Sequence, residues 1–153
     1  PPYEAVHRDS REIDGVLTRG LLMGPSTVAV RGMYEAAGAQ LGASELPDHL
    51  GVELGFLAYL CEREDEERAA GRAAPADNYR KYQERFLDEH VVHWVPDYCR
   101  RIEQRCETWY FRAIAAMTAG FCQADCDHLL ALVAAQERGH DGSWEASVAS
   151  SEA

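Results

Sequence analysis

Apolar residues along the chain recur by threes and fours, while stretches that alternate every second residue are weak, so the pattern predicts helices rather than strands. Before the Gly24-Pro25 break, Ile13, Val16, Leu17, Leu21 and Leu22 are spaced for a short helix. Ser26 or Thr27 can cap the next helix, which turns Val30, Met33, Tyr34 and Ala37 inward and ends near Gly38. A loop carrying Gly42 and Ser44 leads into ELPDHLGVELGFLAYL, residues 45–60. Here Leu50, Leu54, Leu57 and Cys61 predict the buried face of a helix from Asp48 to about Ala70. Its second half, EREDEER (Glu62 to Arg68), reads as a solvated charged face.

The stretch GRAAPAD breaks the pattern, and Asp77 can cap a helix carrying Tyr79, Tyr82, Phe86 and Leu87. Pro96 suits the first turn of a long helix, where no amide donor is needed. Along that helix Trp94, Tyr98, Ile102, Cys106, Trp109, Ala113 and Met117 make the strongest amphipathic stripe in the chain. A last helix from about Ala124 to Glu137 carries Leu129, Leu130, Leu132 and Val133. The fold class is therefore all-α: a bundle of about five to six helices forming one domain over residues 1–138. The small, polar residues 139–153 are expected to be a disordered tail.

Composition narrows the function classes. A chain of 153 residues can bury one core. Its 15 basic against 26 acidic residues give a formal charge of −11, which repels phosphate and favours a cationic partner over a nucleic acid. No segment approaches the roughly 18 apolar residues that span a bilayer. The start, Pro1-Pro2-Tyr3, lacks Met and a basic-then-apolar leader, which suits a processed, trimmed or incomplete chain. Five cysteines without a compact framework suit reduced thiols, so the expected compartment is the cytoplasm, without stable membrane insertion.

The chemistry-bearing residues have ordinary readings beside the functional ones. His90 with His93, and Cys122, Cys126 and His128, lack the paired short-spaced motifs of a zinc site. Cys99, Cys106 and Cys122 fall in or beside helical runs as small core residues. No metal or other cofactor is expected. Asp48 and His49 are an acid next to an imidazole, but neighbours at a helix start point in different directions. No nucleophile elbow, P-loop or dinucleotide fingerprint accompanies them, so no catalytic residue is assigned. Asp48 reads as the helix N-cap and His49 as an exposed first-turn residue. Trp94, Trp109, Tyr98 and Phe111 read mostly as core, whereas Tyr3, beside two prolines, suits a surface groove.

Four segments in order resemble the TorD/DmsD/NarJ-like family of molybdoenzyme maturation chaperones. PPYEAVHRD (Pro1 to Asp9) is similar to its Pro-Tyr/Trp loop, and LLMGPSTVAVRGMYEAAG (Leu21 to Gly38) to the turn and helix that follow. ELPDHLGVELGFLAYL resembles its Pro-Asp-His helix start. FLDEHVVHWVPDYC and WYFRAIAAMTAGF resemble its later aromatic helices. The resemblance implies an all-helical, non-enzymatic, TorD-like chaperone. It would bind the twin-arginine signal peptide or N-terminal segment of an apo molybdenum-cofactor oxidoreductase, assisting cofactor insertion, assembly or export. The peptide-binding positions it implies are Pro2, Tyr3, Pro47, Asp48 and His49. Carboxylates such as Asp48, with Glu45 or Glu53, would meet the guanidinium groups. The family's usual N-terminal helices have no counterpart before Pro1, and a homodimer by helix exchange is a further expectation. The alternative is a small metal- or ligand-binding helical regulatory protein.

Overall fold

The computed structural model describes residues 1–40, 42 and 45–149. Ser44 of the expected loop and residues 150–153 of the expected tail lie outside them. The element order is α1 (Glu4–Arg8), β1 (Ser10–Ile13), β2 (Val16–Arg19), α2 (Pro25–Ala36), α3 (Leu50–Ala69), α4 (Ala73–Glu89), a 3₁₀ turn (Val91–His93), α5 (Val95–Arg105) and α6 (Trp109–Ala149). Helix dominates, as the apolar spacing predicts.

The segment expected as a short first helix is instead a β-hairpin, with Ile13 paired to Val16 and Ser10 to Arg19. Asp14 and Gly15 both take positive φ, 51° and 76°, which is the two-residue turn that matches the twist of paired strands. The Asp-Gly pair is the local signal for it, and it outweighs the apolar spacing on either side. Helix α2 begins at Pro25 with Gly24 as N-cap, so neither Ser26 nor Thr27 caps it. Asp9 takes over that task from outside: Oδ2 accepts the Ser26 amide at 2.9 Å, and Oδ1 accepts its hydroxyl at 2.6 Å. A Cβ on Gly24 would stand 2.1 Å from Asp9 Oδ2, so the glycine makes room for this cap.

Helix α3 falls where the spacing predicts, but its inner face is turned from the expected one. Phe56, Leu57 and Leu60 are buried, Leu50 and Leu54 are half-buried, and Cys61 is exposed. Glu53, Glu64 and Glu67 extend the same buried stripe, so the charged half is not wholly a solvated face. Glu64 accepts Arg68 Nε at 2.9 Å and Gln83 Nε2 at 2.8 Å, and also pairs with Arg80. These partners make a buried carboxylate tolerable.

Helix α4 packs along α3 and starts at Ala73, with Pro75 in its first turn. Asp77 therefore lies inside the helix and is no cap; it pairs with Arg68 at 3.0 Å. The core gathers Tyr34 from α2, Phe56 and Leu60 from α3, Phe86 from α4, Trp94 and Cys122. Tyr34 and Phe56 ring centres are 4.3 Å apart, and Phe56 meets Phe86 edge-on at 4.9 Å.

The long stripe from Trp94 to Met117 splits in two. Helix α5 ends at Arg105, Cys106 is extended, and α6 starts afresh at Trp109, so the helical register resets. Trp94 is buried, but Trp109 is 77% exposed, and Phe111, Met117 and Phe121 also face solvent. The core reading of Trp109 and Phe111 is thereby corrected. α6 runs without a break from Trp109 through the expected last helix and on to Ala149. Ala115, Cys122, Cys126 and Leu129 are its buried side. Among the described residues no helix is long and apolar enough to cross a membrane.

Candidate functional site

Two short segments, far apart in sequence, are joined by main-chain hydrogen bonds. Tyr3 and His49 form an isolated antiparallel bridge. The Leu50 amide donates to the Pro2 carbonyl at 2.9 Å, and the Glu4 amide to the Asp48 carbonyl at 2.9 Å. Proline at positions 1 and 2 keeps this stretch extended until α1 begins. The Tyr34 hydroxyl donates to the Pro47 carbonyl at 2.8 Å, which fixes the second segment to the core. All five residues singled out from the sequence, Pro2, Tyr3, Pro47, Asp48 and His49, thus converge on one edge at the start of α3.

The roles within that edge differ from the sequence expectation. His49, not Asp48, is the N-cap of α3: its Nδ1 accepts the Gly51 amide at 3.1 Å. With Nδ1 as the acceptor, the N–H of the capping imidazole lies on Nε2. His49 is half-buried, with the Tyr3 ring edge-on at 5.2 Å. Asp48 is 0% exposed, and its Oδ2 accepts the Ala5 amide at 3.0 Å. It caps the five-residue α1 across the edge, while Oδ1 has no partner among the described residues. Glu53 is likewise closed off from solvent. The exposed carboxylate is Glu45, whose Oε1 accepts the Tyr3 hydroxyl at 2.8 Å. That hydrogen bond holds Glu45 below the usual carboxylate range and raises Tyr3 above its own.

Behind the edge lies a closed polar cluster that sequence reasoning did not find. Glu4, fully buried, accepts His90 Nδ1 at 3.0 Å and pairs with Arg8. Arg8 also donates to the Glu89 carbonyl at 2.7 Å. Glu53 Oε2 accepts the Trp94 indole at 3.2 Å, and Oε1 has no partner among the described residues. Burial, followed by the charge of Glu4, pushes the Glu53 carboxyl well above its ordinary range; the Trp94 hydrogen bond opposes this. His7 stacks on Trp94 with ring centres 5.2 Å apart, and its Nε2 lies 3.0 Å from the Pro1 carbonyl. A sequence signal was present in the acids at Glu4 and Glu53, each flanked by apolar residues in a helix.

No three His, Cys, Asp or Glu side chains among the described residues converge as a metal site. Burial pushes the thiols of Cys122 and Cys126 up to about 11, away from the thiolate form that ligates metal. What the edge offers chemically is an open carboxylate, a phenol, a half-buried imidazole and proline surface. That set suits a cationic, partly apolar peptide.

Residues 1–100 match the family described as nitrate reductase delta subunit. The selenate reductase assembly chaperone protein of Thauera selenatis is 37% identical over 103 residues, 66% of this chain and 47% of the relative. The chlorate reductase assembly chaperone protein of Ideonella dechloratans is 34% identical over 110 residues, 71% of this chain and 50% of the relative. A chaperone protein TorD of Vibrio cholerae is 26% identical over 126 residues, 81% of this chain and 52% of the relative. The chain spans about half the length of these curated relatives. No solved structure matches it.

Proposed function

The chain belongs to the nitrate reductase delta subunit family, and from that premise we propose that it acts as a chaperone for the catalytic subunit of a molybdenum-cofactor oxidoreductase. It holds the apo-subunit's leader, a twin-arginine signal peptide or its remnant, in the cytoplasm during cofactor insertion and assembly. Its task is binding, not catalysis.

The observation that carries the reading is the pairing of Pro2-Tyr3 with His49-Leu50. It assembles the five motif residues into one edge bordered by the open carboxylate of Glu45. A leader guanidinium meets Glu45, and the apolar part of the leader lies along Tyr3 and Pro2. Asp48 contributes from beneath, by holding α1 and the edge in register. Two of the relatives named above, those of Thauera selenatis and Ideonella dechloratans, are assembly chaperones of reductases, which supports the same class of client.

Calorimetric titration of a synthetic twin-arginine leader, with a Lys-Lys version as control, tests this. Saturable binding that weakens with the Lys-Lys version supports the proposal. Absence of binding to any candidate leader overturns it.

A further inference from the structure

The N-terminal segment that carries Tyr3 also lines a groove of about 350 Å³ against α5. Its apolar walls are Val6, Tyr98 and Ile102, and its polar rim is His7, Arg101 and Arg105. In a chain of net charge −11 this is a local concentration of positive charge. Arg101 and Arg105 stand one turn apart on α5 and are both exposed. Their neighbour Arg100 is held by Asp97 at 2.7 Å, but Arg101 and Arg105 have no ion pair among the described residues. Glu103 lies two positions from each, about 200° round the helix, and so does not face the groove. His7 is held in place by its stacking on Trp94 and its edge contact with Tyr98 at 5.5 Å. Its Nδ1 is buried and has no partner among the described residues.

We propose that this groove binds an acidic peptide segment, whose carboxylate sits on Arg101 and Arg105 while an adjoining aliphatic or aromatic side chain packs on Val6, Tyr98 and Ile102. The planar guanidinium fork matches a carboxylate in two parallel hydrogen bonds. The rest of this acidic surface repels such a segment, so charge selects the place. The volume is near the lower end of ligand pockets, which run from about 300 to 1,000 Å³, and gives room for one or two side chains. Arg105 in the last turn also offsets the helix dipole, but that role needs neither a groove nor Arg101. The occupant being a client polypeptide rests on the proposed function. Its charge is opposite to that of the leader, so this groove takes a different part of the client from the Glu45 edge.

The test uses the chain as it stands and an eight-residue peptide of alternating Leu and Asp, with its Leu/Asn counterpart and inorganic phosphate as controls. The Asp peptide binds, and the Asn version or R101Q/R105Q weakens it about tenfold or more, the weight of a charge-assisted hydrogen bond. The His7 imidazole starts below its ordinary value through burial, opposed by its hydrogen bond to the Pro1 carbonyl and by Asp97 and aided by Arg101 and the charge at Pro1, and its titration midpoint rises when the carboxylate arrives. A melting curve of R101Q/R105Q that overlays the parent shows that folding is intact. Equal binding of Asp and Asn peptides, no binding, or full competition by millimolar phosphate overturns the proposal. Leader binding measured on the same R101Q/R105Q protein is unchanged. Loss of leader binding by the parent chain with the Asp peptide still bound overturns only the Glu45-edge reading.

Discussion

Glu4 and His90, 86 positions apart, meet in the closed interior with the imidazole Nδ1 3.0 Å from the carboxylate Oε2. This contact ties α1, and with it the Pro2-Tyr3 edge, to the C-terminal end of α4. That edge is thereby built on the core and not on a loop alone.

His90→Ala removes one of the two partners of a buried carboxylate and leaves Arg8 as the other. Breaking a buried pair costs about 3 kcal/mol. Urea denaturation should show a loss of that order. A loss below roughly 1 kcal/mol would mean that Arg8 alone suffices to hold Glu4.

Glu53 gives a pH dependence with a definite sign. Its folded pKa is raised above the unfolded value, so the folded state holds the extra proton. Its contribution to stability is complete below about pH 4.5 and is lost as pH rises toward the folded pKa. Glu53→Gln keeps an acceptor for Trp94 and removes the ionisation. Its stability relative to the parent should therefore grow steadily from pH 4.5 upward in parallel urea titrations. A constant difference across that range is the contrary result.

Gly24→Ala places a Cβ against Asp9 and displaces the carboxylate that receives Ser26. The expected cost is about 1–2 kcal/mol, the usual weight of an N-cap. Asp9→Ala should cost about the same, and the double variant little more than either, because both act on one cap. Additive losses in thermal unfolding would separate the two.

Glu45→Gln and Asp48→Asn distinguish an exposed recognition charge from a buried support. Glu45→Gln should weaken leader binding about tenfold with a melting temperature within about 2 °C of the parent. Asp48→Ala should lower both stability and affinity, through loss of the Ala5 hydrogen bond, whereas Asp48→Asn retains an acceptor and recovers much of both. Affinity that is indifferent to Glu45 but falls with Asp48→Asn at constant stability would move the recognition charge to Asp48.

Periodicity by itself determined that the chain is a helical bundle, and it located α3 and α4, because a repeat of 3.6 residues is a local property. The order of the Pro-Tyr, Gly-Pro and Pro-Asp-His motifs pointed to the five residues that converge on the edge. What periodicity reports is which positions share a face, not what stands opposite them. So Asp48 read as a cap for its own helix, while the amide it receives belongs to Ala5, 43 positions earlier. Glu64 read as part of a solvated face and Glu53 as a carboxylate open to a guanidinium group, yet both are buried, as is Glu4. Only the folded chain supplies the His90, Trp94 and Gln83 groups that lower the cost of burying them. The hairpin at Asp14-Gly15 was also legible locally, in its turn residues rather than its apolar spacing. The break between α5 and α6 was not, since the apolar stripe runs on across it while the backbone turns extended at Cys106.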